Sequence, residues 1–182
     1  DGDGADVGNL VAGNQYVNGT HSGTHGYCHG GSVNRIEKYQ FVASGNSTQV
    51  GTLSEKRDSA AGLTSKTKGY VCGGYMGKWP DDTSGPNVGY GTAIQKFSLT
   101  TDGNATNVAD ILSARRGPDG CSSSTHGFVI GGGLDTPGSF LNSIERFHFA
   151  TDSDSADWAD MTETKRTYGT ACSSATHGFT LG

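Results

Sequence analysis

One short pattern is written four times along this chain, and it constrains the fold more than any other feature. The copies are His25-Gly26-Tyr27-Cys28-His29-Gly30-Gly31, Lys68-Gly69-Tyr70-Val71-Cys72-Gly73-Gly74, His126-Gly127-Phe128-Val129-Ile130-Gly131-Gly132 and the terminal His177-Gly178-Phe179-Thr180-Leu181-Gly182. Each joins a glycine to an aromatic residue and then reaches a glycine pair or its first member. From Gly26 to Gly69, Gly127 and Gly178 the periods are 43, 58 and 51 residues. A chain with such a period folds as similar units that each bury a face against the next.

Two further landmarks return in the same order. Ile36-Glu37-Lys38-Tyr39-Gln40-Phe41 is echoed by Ile94-Gln95-Lys96-Phe97-Ser98-Leu99 and by Ile144-Glu145-Arg146-Phe147-His148-Phe149. Apolar and polar residues alternate, so each hexamer predicts a strand with one buried face. The second landmark is an apolar residue followed by a basic one: Leu53 with Arg57, Leu112 with Arg116, Met161 with Arg166. Small-residue runs come next, Ser59-Ala60-Ala61-Gly62, Cys121-Ser122-Ser123-Ser124 and Ala171-Cys172-Ser173-Ser174, thin enough for strands packed close to an axis. Each unit therefore holds four strand candidates: the small-residue strand, the Gly-aromatic strand, the Ile-x-x-aromatic strand and an outer strand. Four-strand units at this period predict an all-β chain of antiparallel propeller blades.

The order of these residues resembles the kelch repeat, whose blades carry a strand ending in Gly-Gly, then an aromatic, then an outer-strand Trp and an Arg near the next turn. Gly131-Gly132, Phe147, Trp158 and Arg166 follow that order; Val50 and Val108 stand at the Trp158 position in the other two units. The resemblance implies a kelch-like β-propeller over residues 1–182, with units at about 14–56, 57–115 and 116–165 and partial units at 1–13 and 166–182. The segment from Asp1 to Leu10 resembles Thr101 to Leu112, which places the start inside an outer strand and makes the chain an incomplete segment of a larger propeller.

Composition narrows the function classes. Only 32% of the 182 residues are hydrophobic and 30 are glycine, as suits thin, stacked sheets. The net charge of -5 and the lack of a basic stripe argue against nucleic acid as a partner. No apolar stretch is long enough to span a membrane as a helix, so no membrane insertion is expected. Cys28, Cys72, Cys121 and Cys172 read as small buried thiols, because the equivalent sites of Cys121 and Cys172 in neighbouring blades lie too far apart for a disulfide and Cys28 and Cys72, offset by one position, face opposite sides of their strands.

Two metal readings are weighed and set aside. His21, His25 and His29 beside Cys28 carry zinc-type donors, yet their spacing suits a helix and five nearby glycines oppose one. His25 recurs as His126 and His177, so the Thr-His-Gly triplet is expected to cap a turn. Asp1, Asp3 and Asp6, or Asp152, Asp154 and Asp157, offer oxygen ligands without the register of a calcium loop, and read as turns. Asn18, Asn46 and Asn104 begin glycosylation-type triplets.

No nucleophile elbow, phosphate loop or carboxylate pair is present, and neither catalysis nor a cofactor is expected. The kelch resemblance leaves one enzymatic alternative, a galactose-oxidase-like or glycan-active propeller, for which Tyr75, Tyr90, His21 and His148 are the available side chains. The repeat is broken most by the insertion from Tyr75 to Gly91. Tyr75, Lys78, Trp79 and Tyr90 form the candidate binding loop, since insertions on one face of a repeat array are where ligands are met. The near-duplicate units and their Ser/Thr-rich joints resemble tail fibres and virion appendages of marine bacteriophages. That resemblance implies a non-catalytic structural or receptor-binding module on a virion surface or outside cells. Its expected partners are other virion proteins or a host-surface glycan or protein, with homo-oligomerisation in keeping. The alternative binding reading is a kelch protein-interaction adaptor.

Overall fold

The computed structural model describes residues 4–31, 33–76, 89–136, 138–164 and 171–181. They form strands and turns with no helix. The first antiparallel sheet runs in chain order through β1 (Val17–His21), β2 (His25–Gly30), β3 (Arg35–Gln40) and β4 (Thr48–Thr52). The second is built from β5 (Ala61–Thr64) and β6 (Lys68–Cys72), then, after the short pair β7 (Tyr75–Met76) and β8 (Gly89–Tyr90), from β9 (Ala93–Ser98) and β10 (Thr106–Asp110). The third comprises β11 (Asp119–Ser122), β12 (His126–Ile130), β13 (Ser143–His148) and β14 (Ala156–Asp160). A two-stranded hairpin, β15 (Ala171–Ser173) with β16 (Gly178–Thr180), follows. The chain is thus all-β, made of small four-stranded antiparallel sheets that do not close into a ring.

The sheets pack through their inner strands, β1 against β5, β5 against β11 and β11 against β15. Glycine makes that approach feasible: a Cβ on Gly120 would sit 2.8 Å from the Gly62 carbonyl oxygen, and Gly62 lies as close against Gly19. Two cores fill the spaces between sheets. Tyr27, Ile36 and Leu53 of the first unit bury against Val71, Phe97 and Leu99 of the second. Tyr70, Cys72, Ile94 and Ile111 of the second bury against Val129 and Phe147 of the third. At about 1.5–3 kcal/mol per large apolar side chain, these two layers are the main cohesive term.

Alternation on β3, β9 and β13 sends one side chain of each hexamer into the sheet's own glycine. Tyr39, Phe97 and Phe147 lie over Gly26, Gly69 and Gly127, their pairing partners on the neighbouring strand. On Gly127 a Cβ would stand 2.7 Å from two ring carbons of Phe147. Gly127→Ala is therefore expected to destabilise by about 1–3 kcal/mol, the usual cost of overpacking, read as a lower urea midpoint with an unchanged slope. An unshifted midpoint would mean that the ring moves aside freely.

Each outer strand carries a one-residue bulge at the same place. The pairing skips Val50, Val108 and Trp158. Val50 and Val108 lean on the cores beside them. Trp158 is 56% exposed and lies under the Arg146 guanidinium, 3.6 Å from the ring centroid.

The inner hairpins turn on one motif. In Ser22-Gly23-Thr24-His25 the serine Oγ accepts the His25 N–H at 3.0 Å, and Thr24 Oγ1 meets His25 Nδ1 at 2.8 Å. Ser123, Thr125 and His126 repeat this geometry, as do Ser174, Thr176 and His177. The triplet does build a turn, but its cap is the serine, which the expectation for Thr-His-Gly had not included.

Candidate functional site

The end of the sheets opposite those turns holds the glycine pairs, and there the units are clasped to one another. Both glycines of Gly30-Gly31, Gly73-Gly74 and Gly131-Gly132 have φ between 58 and 102°, a region that a side chain would strain. The first glycine's carbonyl accepts a side chain from the connection that leads into its own sheet: Asn14 Nδ2 on Gly30 at 2.8 Å, Arg57 Nη1 on Gly73 at 2.5 Å, Arg115 Nη1 on Gly131 at 3.0 Å. The second glycine's N–H donates to the connection that leaves its sheet for the next, Gly31 to the Arg57 carbonyl and Gly74 to the Arg115 carbonyl. In the second unit this corrects the sequence alignment by one residue. The equivalents of Leu53 and Arg57 are the buried Ile111 and Arg115, whereas Leu112 is 58% exposed and Arg116 does something else.

A second clasp uses the polar residue after each isoleucine. Glu37, Gln95 and Glu145 are all buried, and each accepts a backbone N–H from the preceding unit: Val11 at 2.9 Å, Ser54 at 3.0 Å and Leu112 at 2.9 Å. Ser47 and Ser155 donate to the two glutamates at 2.6 Å; the matching residue beside Gln95 is Ala105. Asn46, Asn104 and Asp154 accept the N–H groups of Asn9, Thr52 and Asp110. The glycosylation-type triplets at Asn46 and Asn104 are thus part of the joint between units. Residues 7–11 lie against the first sheet as 50–54 lie against the second, Val7 and Asn9 accepting from Gly45 and Ser47 as Val50 and Thr52 accept from Gly103 and Ala105.

Arg116, one residue beyond the clasp, is freed for a different task. Its Nε donates to Asp58 Oδ1 at 3.1 Å, and its guanidinium stands 5.5 Å from the Tyr16 ring and 5.4 Å from the Tyr75 ring, within cation–π range. Tyr75 and Asp58 exchange backbone hydrogen bonds at 2.9 and 3.0 Å, while Ser59 donates to the Tyr16 carbonyl. Tyr90, paired with Tyr75 across β7 and β8, sets its ring edge-on at 6.1 Å. Tyr16 and Ser59 both adopt positive φ, 55° and 49°, backbone strain of the kind held at ligand-facing loops. Burial pushes the Asp58 carboxyl up and the Arg116 charge pulls against it. With Arg116 matched by Asp58, this patch is an aromatic surface with hydroxyls rather than a bare cation.

Of the expected binding-loop residues, Tyr75 and Tyr90 are brought together here; Lys78 and Trp79 lie outside the described residues, as does Arg166. Tyr16, Asp58 and Arg116 were not anticipated. The doubled Arg115-Arg116 was the available signal, since a repeat that needs one arginine leaves the second to be explained.

The remaining candidates are dispersed. His21 and His148 lie at the turn end of their sheets and Tyr75 at the glycine end, about 15 Å apart along a five-residue strand. His25 faces Thr24, and His29 is buried against Phe97, its ring centroid 5.6 Å away and both ring nitrogens without a hydrogen-bond partner. Among the described residues no three His, Cys, Asp or Glu side chains stand close enough to share a metal ion. Asp6 caps Gly8, Asp152 pairs with Lys96 and Asp154 belongs to a clasp, while Asp1 and Asp3 are outside the described residues. All four cysteines are free thiols; Cys72 and Cys121 are buried, but Cys28 is half-buried and Cys172 exposed, which corrects the expectation of four buried thiols. The chain matches no protein-family model, and no curated protein matches it.

Proposed function

We propose that this chain is a non-catalytic structural or receptor-binding module, a segment of a kelch-like β-propeller of the kind carried by phage tail fibres and virion appendages, with its ligand met at the Tyr16–Arg116–Tyr75–Tyr90 patch. The observation that carries the binding role is the division of labour between adjacent arginines. Arg115 is buried in the joint between units, whereas Arg116 faces two tyrosine rings at the glycine end of the sheets. Aromatic faces with hydroxyls beside a neutralised ion pair suit stacking on a sugar ring or anchoring a protein contact. A host-surface glycan is the occupant this chemistry favours, over the protein partner of an adaptor.

A panel of neutral and acidic envelope oligosaccharides tests this by titration calorimetry. Binding of neutral members, weakened at least about tenfold, or about 1.4 kcal/mol, by Tyr75→Ala, is the expected result. Equal binding by wild type and Tyr75→Ala would remove the patch from the proposal. Hydrogen peroxide production on galactose after copper loading would overturn the non-catalytic reading in favour of the oxidase alternative.

A further inference from the structure

The polar joint between the first and second sheets differs from the next one at a single point. In the third unit every arm of the Arg115 guanidinium is matched: Nε donates to the Ser113 carbonyl at 3.1 Å, Nη2 to Glu145 Oε1, and Nη1 to the Gly131 carbonyl and Ser143 Oγ. Arg57 enters the second sheet in the same way, its Nη1 donating to the Gly73 carbonyl at 2.5 Å and the Ala93 carbonyl at 3.3 Å. Gly73 and Ala93 are the repeat equivalents of Gly131 and Ser143, so the two guanidiniums are held alike. Gln95 is seated as Glu145 is. Its Oε1 accepts the Ser54 N–H at 3.0 Å, as Glu145 Oε2 accepts that of Leu112 at 2.9 Å. That bond fixes the orientation of the amide and puts Nε2 where Glu145 has the oxygen that receives Arg115.

A donor therefore stands where the repeat has an acceptor. Among the described residues Gln95 Nε2 and Arg57 Nε have no hydrogen-bond partner, and both side chains are closed off from solvent, at 0% and 1% exposure. Buried donors are almost always matched, because leaving them bare forfeits their hydration for nothing. Glu55 comes within 3.7 Å of Arg57 Nη2 from a side chain that is 34% exposed. It balances charge from that distance but is too far away to accept a hydrogen bond. Burial draws the Arg57 pKa down, and Glu55 is the largest charge opposing it.

We infer that the Nε–Nη2 edge of Arg57 and the Gln95 amide form a seat for one small monovalent anion, with chloride as its ordinary occupant. The edge of a guanidinium presents two parallel N–H groups, the geometry that receives anions best, and the amide adds a third donor. Enclosure between two complete four-stranded sheets limits the occupant to an ion of atomic size and leaves no room for a carboxylate- or phosphate-bearing molecule. The anion takes the part that Glu145 Oε1 plays in the third unit, tying the connection that carries Ser54 and Arg57 into the second sheet. Glu55 competes with it for the same cation. The strength of this joint thus depends on chloride, independently of what the tyrosine patch binds.

The test is a chloride titration of the intact 182-residue protein, with sodium gluconate making up constant sodium. The chlorine NMR resonance is expected to broaden on adding protein and to sharpen again as bromide displaces chloride. In urea the midpoint should rise with chloride, the unfolding constant falling about tenfold for each tenfold increase above the dissociation constant. Gln95→Glu supplies the carboxylate of the third unit. It should abolish both the broadening and the chloride dependence, with a midpoint in gluconate above that of wild type. Glu55→Gln, at a half-exposed position, removes the competitor and should tighten chloride binding at least about threefold. Equal wild-type midpoints in chloride and gluconate, without broadening, overturn the proposal and assign the donors to water. Chloride dependence that survives Gln95→Glu, or an affinity that Glu55→Gln leaves unchanged, overturns it as well by placing the anion elsewhere.

Discussion

Replacing Glu145 by alanine is expected to cost about 3–5 kcal/mol, the largest loss from any single polar residue here. Glu145 accepts the Leu112 N–H and the Ser155 hydroxyl with one oxygen and pairs with Arg115 through the other. Arg115 is completely buried, and burial lowers its pKa only to about 10, so at neutral pH it keeps its charge. Removing the carboxylate strands that cation and an N–H together. Urea unfolding at pH 7 measures the effect, and a loss below about 1 kcal/mol would mean that water reaches the joint.

The other two joints supply a sharper version of the test, because each reaches neutrality by a different route. At the first, Asn14 replaces the arginine and Arg35 sits 3.1 Å from Glu37. At the second, Gln95 replaces the glutamate, Ala105 the serine, and Arg57 pairs with Glu55 at 3.7 Å. Glu55 corresponds to Ser113. Glu145→Gln with Ser155→Ala should therefore remain destabilised by about 2 kcal/mol, since a buried cation loses its partner. Adding Ser113→Glu, which copies the second joint in full, should recover most of that loss. Failure to recover would show that the joints are not interchangeable.

How much of this was legible follows from what a repeat records. The four strands per unit were readable because period-two alternation in Ile36 to Phe41 and its echoes reflects one-sided burial. The glycine pairs were readable as landmarks, but not their purpose, since a bond from Asn14 to Gly30 links residues with no local pattern between them. The arginine register slipped by one at Arg115-Arg116 because spacing from an apolar residue cannot tell Ile111 from Leu112; only burial separates them. Two of the five residues of the candidate site were found, for a related reason. Tyr75 and Tyr90 advertise themselves by lying in an insertion, whereas Tyr16 and Asp58 reach Arg116 from segments that look like ordinary connections. The co-variation of Glu with Ser and Gln with Ala was present in the sequence and went unused, because its meaning is a contact between β3 and the loop before β4, or their equivalents.

Acid should weaken this protein through one residue above all. His29 occupies the position held by Cys72 and Ile130 in the other units, and burial holds its pKa down to about 4 from 6.5. Buried in the first core, the ring is edge-on to Phe97 with neither nitrogen bonded, so the folded state keeps it neutral. The unfolded chain protonates at its ordinary value and so binds more protons between these two pH values. Stability from this group is complete above pH 6.5 and falls as the pH drops toward 4, by about 3 kcal/mol in all. His29→Ile removes the titration and leaves an apolar side chain of the kind found at residue 130. The stability difference between variant and wild type, from urea unfolding, should thus widen in favour of the variant by about 3 kcal/mol between pH 7.5 and pH 4. Carboxylates titrate over the same range in both proteins and cancel in the difference. A difference that stays constant with pH would mean that the imidazole is solvated or bonded in the folded state, and the core between the first two sheets would then contain water.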